Sequence, residues 1–404
     1  MSNSTAPGKL KLRLTPAAEK AARSGHPWVY AERIKSQNRP GELGELAVVY
    51  DRNNTFMGVG LFDPDSPIRL RMIHAGSPTT IDDAWWTNRL HTALALREGL
   101  GGNHTTGYRL ISGENDGWPG LVVDRYDNTL VLKLYSGVWL PRLNEITDRL
   151  QQTIKPQRII LRLSRNIQTL AQEKFSVTDG QILRGEPLEG IVVFQENGIR
   201  FESDVLRGQK TGFFLDQRDN RQRVGDLAQG KSVLNAFSFS GGFSLYAACG
   251  GAKSVTDLDI SSHALDAANR NFALNEHLPT VKQCEHKCVQ ADAFKWVAST
   301  RERFDLVILD PPSLAKRETE RTGAIAAYES LAANGIRLLN RGGILVAASC
   351  SAHVSPQEFY NAVLKAAQLS RRPFTEMDRT GHAPDHPATF PEAMYLKCIY
   401  LRFT

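Results

Sequence analysis

Two short stretches of this chain could do chemistry together: Asp310-Pro311-Pro312-Ser313 and Ser349-Cys350-Ser351. Each follows an apolar run that reads as a buried strand, Phe304–Leu309 before the first and Gly343–Ala348 before the second. Unbroken apolar runs separated by helical patterns imply a parallel sheet covered on both faces. Ligands of such sheets bind at the carboxyl ends of the strands, so both stretches are expected to face one crevice. An acid-Pro-Pro loop suits a planar exocyclic nitrogen on a nucleobase. Ser313 stands where an aromatic residue is usual for an adenine amino acceptor, which weakens that acceptor here. Cys350 supplies another chemistry. Carbon 5 of a pyrimidine becomes nucleophilic once a thiolate adds to carbon 6, and a thiol both attacks and leaves readily. The plainer alternative for Cys350 is a small core residue. Its place just past a strand end favours base methylation with a covalent step.

A cofactor pocket is expected at the preceding strand ends. Gly241 and Gly242 follow the run Ser232–Phe237 and allow a ligand close to the backbone. Asp259 lies eighteen positions after Gly241, ends the run Ser254–Asp259, and is placed to accept from a ribose hydroxyl pair. Asp292 closes the expected third strand, Cys288–Asp292, and could accept from an adenine amino group. Any one of these has a plainer explanation, a tight turn for the glycines and a helix cap for each aspartate. Three at successive strand ends favour a pocket. The G-x-G-x-x-G spacing of diphosphate binding is absent, so S-adenosylmethionine fits better than a dinucleotide.

These sites need elements to hold them. A chain of 404 residues is too long for one ordinary core and implies two or three domains. From Leu10 to about Ile73, close strands such as Ala47–Tyr50, Met57–Phe62 and Ile68–Met72, punctuated by turn residues, suggest a small barrel over 1–77. A helix opening at Thr80-Ile81-Asp82-Asp83 leads into a small α+β segment over 78–190. Its strands are expected at Leu121–Asp124, Leu130–Tyr135 and Arg158–Leu163, with a helix near Leu140–Ile154. Strand–helix alternation then fills 191–404, and Ser355-Pro356-Gln357-Glu358 reads as a capping box. The fold class is α/β.

Composition narrows the partners. The formal charge is +6, with eleven Lys/Arg against seven Asp/Glu in residues 1–80, mild support for an anionic partner. No apolar span is long enough for a membrane helix, and Met1–Gly8 reads as a polar tail with no secretory core. Five scattered cysteines suggest free thiols in a reducing cytoplasm. Cys284-Glu285-His286-Lys287-Cys288 lacks a second ligand pair, so a loop is expected there and no metal.

Taken with these motifs, Gly208–Arg218 (GQKTGFFLDQR) resembles the bacterial large-subunit rRNA cytosine-5 methyltransferases that carry an N-terminal PUA domain. Gly25-His26-Pro27-Trp28, Ser112–Gly120, Asp385-His386-Pro387 and Tyr395-Leu396-Lys397 are similar too, so the resemblance spans nearly the whole chain. It implies a PUA barrel, a small central domain and a class I methyltransferase sheet with one antiparallel strand. It also implies S-adenosylmethionine contacts at Thr211, Phe213, Phe237, Ser240, Gly241, Asp259, Asp292 and Asp310. Cys350 would be the nucleophile, Asp310 its catalytic companion, and Pro311, Pro312 and Arg218 would serve the substrate. The implied partner is large-subunit rRNA, with no membrane; a homodimer is left open. Ser313, where Lys is frequent, and His353 depart from the family pattern.

Overall fold

The computed structural model of the chain describes residues 8–100 and 104–404, so the tail expected over Met1–Gly8 lies outside them except for Gly8. The chain forms two compact units: residues up to Val192 with Ser203–Phe213, and Val193–Glu202 with Phe214–Thr404.

In the first unit a six-stranded sheet comprises β1 (Leu10–Leu14), β2 (Trp28–Tyr30), β3 (Ile34–Gln37), β4 (Leu46–Tyr50), β5 (Phe56–Phe62) and β6 (Ile68–Ala75). The order is β2-β6-β5-β4-β1-β3, and only the β1–β4 pair is parallel. In β1, Leu10, Leu12 and Leu14 turn inward and Lys11 and Arg13 outward, the period of a strand with one buried face. Helix α1 (Pro16–Arg23) starts on a proline whose fixed φ suits a first turn.

A second sheet of the same unit runs β11-β10-β9-β8-β7. Its strands are β7 (Gly107–Ser112), β8 (Leu121–Tyr126), β9 (Thr129–Leu134), β10 (Arg158–Leu163) and β11 (Ile182–Gly185). It carries α2 (Asp83–Ala95), α3 (Leu143–Ile154) and α4 (Arg165–Phe175). The Asp82 carboxylate, within the stretch Thr80–Asp83 expected to open this helix, caps α2 by accepting from Trp85 N at 2.8 Å. One apolar core joins both sheets, with Val59, Leu61 and Ile73 packed among Trp86, Leu90, Trp118 and Trp139.

The second unit opens with a hairpin, β12 (Val192–Glu196) and β13 (Ile199–Ser203), then α5 (Arg218–Leu227). A seven-stranded sheet follows: β14 (Ser232–Ala236), β15 (Ser254–Asp259), β16 (Glu285–Gln290), β17 (Phe304–Leu309), β18 (Leu339–Ser349), β19 (Phe374–Thr380) and β20 (Lys397–Phe403). Its helices are α6 (Gly242–Cys249), α7 (Ser262–Leu274), α8 (Pro279–Gln283), α9 (Ala293–Ser299), α10 (Arg321–Arg337) and α11 (Pro356–Leu369). The order is β16-β15-β14-β17-β18-β20-β19, and β20 alone runs against its neighbours.

The runs Leu306–Leu309 and Ile344–Ala348 are buried along their length, as strands covered on both faces must be. Leu309, Leu345 and Ala347 pack with Tyr328 and Ile336 of α10 and Phe359 and Val363 of α11. Truncating Leu345 to alanine would cost about 2–5 kcal/mol by transfer and cavity terms. The capping box of α11 is present in full: Ser355 accepts from Glu358 N, and Glu358 accepts from Ser355 N. Strand β14 has β15 on one side and β17 on the other, so the chain switches direction there and opens a crevice at the carboxyl ends.

Candidate active site

The segment leaving β14 is unusually bent. Phe237, Phe239 and Gly241 have φ values of 63°, 49° and 74°, and two of these are bulky aromatics in a region that L side chains seldom adopt. The turn persists because it is tied at several points: Phe237 N and Ser238 N both donate to Leu258 O, at 2.9 and 3.1 Å. A Cβ on Gly241 would lie 2.9 Å from Ala268 Cβ and 3.0 Å from Asp257 Oδ2, so no larger residue fits. Strain held in this way gathers at ligand sites.

Asp259 braces the same turn. Its Oδ2 accepts from Phe239 N and its Oδ1 from Ser261 N, both at 2.9 Å. Each carboxylate oxygen keeps a further lone pair for a hydroxyl donor. Asp292 sits two residues past β16 rather than at its end, because that edge strand runs Glu285–Gln290. There it caps α9, accepting from Lys295 N at 3.2 Å. The hydroxyls of Ser238 and Ser240 are buried without a hydrogen-bond partner, and Phe237 packs edge-on against Phe294 at 5.0 Å. Ile260 is 70% exposed and Phe294 38%, apolar surface at the strand ends that sequence reasoning passed over. The signal for Ile260 was its position directly after the acidic strand end. Free hydroxyls, acceptor carboxylates and apolar rings on one turn fit the polar and aromatic parts of S-adenosylmethionine.

The other side of the crevice holds the expected pair of stretches. Strands β17 and β18 are parallel neighbours with Leu309 opposite Ala347, so Asp310 and Cys350 leave adjacent strands at the same end of the sheet. Cys350 Sγ lies 4.0 Å from Pro311 O. Hydroxyls lock the two loops together. Ser351 Oγ accepts from Leu314 N and Ala315 N at 3.0 and 3.3 Å, and bonds Ser313 Oγ at 3.2 Å and Tyr328 OH at 2.8 Å. Ser349 Oγ donates to Tyr328 OH at 2.9 Å. Ser313, a departure from the family pattern, is thus part of the lock. His353 is exposed, 3.5 Å from Glu318.

Asp310 is aimed by a relay. Gln217 Nε2 donates to Asp310 Oδ2 at 3.0 Å, and Asn220 Nδ2 donates to Gln217 Oε1 at 2.6 Å. Pro311 is buried and Pro312 exposed. Arg218 is buried, donating to Asp385 Oδ1 at 2.9 Å, so it anchors the segment around Asp385. Thr211 and Phe213 belong to the first unit, where both are buried. The Thr211 hydroxyl donates to Asp124 Oδ2 at 2.6 Å, and Phe213 N donates to Tyr126 OH at 3.2 Å.

The segment expected as a loop over Cys284–Cys288 is instead mostly strand β16, paired in parallel with β15. An edge strand tolerates polar residues because one of its sides is open. The pairing puts His286 Nε2 2.9 Å from Asp257 Oδ2 and 3.7 Å from Cys288 Sγ. Burial pushes the thiols of Cys284 and Cys288 up to about 11.

Residues 108–402 match the family model of S-adenosylmethionine-dependent methyltransferases, and residues 12–75 that of PUA-like domains. The chain is 54% identical over 407 residues to a ribosomal RNA large subunit methyltransferase of Deinococcus radiodurans, spanning 99% of this chain and 98% of that protein. It is 38% identical to ribosomal RNA large subunit methyltransferase I of Photobacterium profundum, spanning 95% of this chain and 97% of that protein. Among solved structures, a chain from Streptococcus mutans described as a SAM-dependent methyltransferase shares the fold with a TM-score of 0.80 at 22% identity, covering 97% of this chain and 99% of that one. A methyltransferase solved in complex with SAH superposes with a TM-score of 0.82 at 22% identity, with the same coverage. The chain belongs to the S-adenosylmethionine-dependent methyltransferase family that includes these ribosomal RNA large-subunit methyltransferases.

Proposed function

We propose that this protein methylates carbon 5 of a cytosine in large-subunit ribosomal RNA, through a transient bond from Cys350 to carbon 6. The observation that carries the proposal is the placement of Cys350 Sγ 4.0 Å from Pro311 O, beside the loop that begins at Asp310. A purine N-methyltransferase would need the acid-Pro-Pro loop but would give the cysteine no work. The ribosomal substrate is inferred from the names of the relatives, and such a substrate suits a cytoplasmic enzyme.

The Cys350 thiolate adds to carbon 6, and the electron pair of the 5,6 double bond makes carbon 5 nucleophilic. When bound, S-adenosylmethionine would supply the electrophilic methyl group that carbon 5 takes up, with S-adenosylhomocysteine as the leaving product. A base then takes the proton from carbon 5. The freed pair re-forms the double bond as the carbon–sulfur bond breaks and the thiolate departs. Asp310, held by Gln217, accepts from the cytosine amino group, while Pro311 and Pro312 shape the wall on which the base rests. Phe237, Ser240, Gly241, Asp259 and Asp292 would hold the cofactor. The target base must leave its stack to reach the thiol.

The PUA-like domain supplies the RNA grip in this reading. A cleft of about 450 Å³ in it is lined by Lys35, Gln37, Phe62 and Arg69, a polar and cationic surface suited to a phosphate backbone.

The deciding experiment uses rRNA carrying 5-fluorocytosine. Fluorine blocks the final elimination, so wild type should be trapped as a covalent complex and Cys350→Ser should not. A Cys350→Ser variant that turns over at the wild-type rate, or a methylated purine as product, would exclude covalent pyrimidine catalysis. Cofactor binding without any turnover on rRNA would instead mark an assembly factor.

A further inference from the structure

Lys397 is an unusual neighbour for the candidate nucleophile. It opens β20 opposite Ser349 of β18, in antiparallel register, and is 1% exposed. Its Nζ donates to Ser351 O at 2.6 Å, Val354 O at 2.7 Å and Tyr395 O at 3.0 Å. An ammonium has three N–H donors and no acceptor, so all three are engaged and no lone pair is left to act as a base. Among the described residues no carboxylate pairs with it. A buried cation without a counter-ion is costly unless another group supplies the negative charge.

The candidate source is the turn that Lys397 itself holds. Ser351 and Val354 lie on that turn, and Cys350 begins it. Burial lowers the Lys397 ammonium to about 8, and the charges that favour its protonated form are Cys350 first and then Glu358. The other titratable groups packed around the turn are committed elsewhere. Tyr328 of α10 bonds Ser349 and Ser351, and Glu358 of α11 is held by Arg321 and Ser355. Asp310 is held by Gln217, His353 faces Glu318, and burial pushes the Cys398 thiol on Lys397's own strand up to about 12.

We propose that Lys397 is a positioning residue: its ammonium, fixed beneath the Ser349–Val354 turn, holds Cys350 beside Pro311 and stabilises the Cys350 thiolate. The catalytic use of that thiolate rests on the covalent reading above, whereas the effect of the charge on the thiol does not. A cation locked against three carbonyls cannot swing away to solvent, so the field at the sulfur is present before substrate arrives.

The test reads the thiol directly. Full-length protein is alkylated with iodoacetamide across a pH series, and modification at Cys350 is followed by peptide mass spectrometry. Lys397→Gln keeps amide donors for the carbonyls but removes the charge. Its alkylation profile should move to higher pH, with the rate near neutral pH falling about tenfold, because only the thiolate reacts. Lys397→Arg, which restores the charge, should recover the profile. S-Adenosylhomocysteine affinity reports that the fold is intact. An unshifted profile in a Lys397→Gln protein that still binds S-adenosylhomocysteine would overturn the proposal.

If Lys397→Gln does not fold, coupling is read from the other partner in Cys350→Ser. With ¹³C-labelled lysine, the Lys397 side chain should lose its proton at lower pH in Cys350→Ser than in wild type, since the thiolate favours the ammonium and linkage is reciprocal. Equal midpoints would overturn it. If Cys350→Ser retains turnover while Lys397→Gln shifts the alkylation profile, the covalent reading falls and the effect of Lys397 on the thiol stands.

Discussion

The Ser351 hydroxyl accepts a hydrogen bond from the backbone N–H of Leu314 at 3.0 Å, across two loops that leave different strands. That bond and its partners decide where Cys350 points relative to Asp310, because the residue flanking the thiol is pinned to the continuation of the acid loop.

Removing that pin should separate geometry from cofactor binding. Ser351→Ala strips two backbone N–H groups and the Tyr328 hydroxyl of a buried partner, at a cost of about 1–3 kcal/mol for each polar group left unsatisfied. The expected outcome is a lower melting temperature and at least tenfold slower turnover. S-Adenosylhomocysteine affinity, measured by calorimetry, should stay at the wild-type value.

The Gln217 relay predicts a different signature. Gln217→Ala loses a donor to the Asp310 carboxylate, worth about 1.5–3 kcal/mol, so kcat/KM should fall roughly ten- to hundredfold. Gln217→Glu places two carboxylates together and should be worse near neutral pH. Because a like charge raises one carboxyl pKa, protonation as pH falls restores a donor, and activity should partly recover on acidification. A pH–rate series on the two variants distinguishes them.

Asp259 serves both the turn and the proposed ribose contact. Asp259→Ala should weaken S-adenosylmethionine binding more than tenfold, since a lost charged hydrogen bond costs about 1.5–3 kcal/mol. Asp259→Asn keeps one acceptor oxygen for the backbone N–H groups of Phe239 and Ser261 and should lose less. Unchanged affinity in the alanine variant would remove Asp259 from the pocket.

The cationic cleft of the PUA-like domain should control affinity more than turnover on saturating RNA. Lys35→Glu with Arg69→Glu removes two cations, so the slope of log affinity against log salt should shrink by about two. Filter binding of rRNA fragments at several salt concentrations measures it. An unchanged slope would place the RNA elsewhere.

Glu358 sets an acid limit on the turn after Cys350. Its carboxyl is lowered to about 2, first by the Arg321 hydrogen bond and then by that from Ser355. A group with a depressed folded pKa contributes stability above its unfolded pKa and loses it as pH falls through the folded one. The contribution is therefore full near neutral pH and disappears as pH drops from about 4.5 toward about 2. Glu358→Gln should lower the melting temperature near neutral pH and converge on wild type at the acid end.

Much of this protein was legible in its residues. The buried runs around Val307 and Val346 read as central strands, because short continuous apolar runs separated by helical patterns fit a sheet covered on both faces. The capping box at Ser355 and the cap at Asp82 are local chemistry, set by side chains within three residues of the backbone groups they satisfy. The crevice with Asp310 and Cys350 at its edge follows from strand order and the rule that ligands bind at carboxyl ends. Strand β7 was not expected, and β16 was expected over Cys288–Asp292 rather than Glu285–Gln290, since edge strands carry mixed polar and apolar residues and blur the period.

Tertiary structure alone decided the long-range bonds. Nothing in the sequence joins Gln217 to Asp310, 93 positions apart, or sets the Lys397 ammonium under a turn 43 to 46 positions earlier. The Asp-Pro-Pro and Ser-Cys-Ser motifs name the groups proposed to react. Their aim and charge depend on hydroxyls, amides and one ammonium that reach them only when the sheet brings β17, β18 and β20 together. Local pattern carries propensity and burial; the distances on which a reaction depends exist only after the non-local hydrogen bonds have formed.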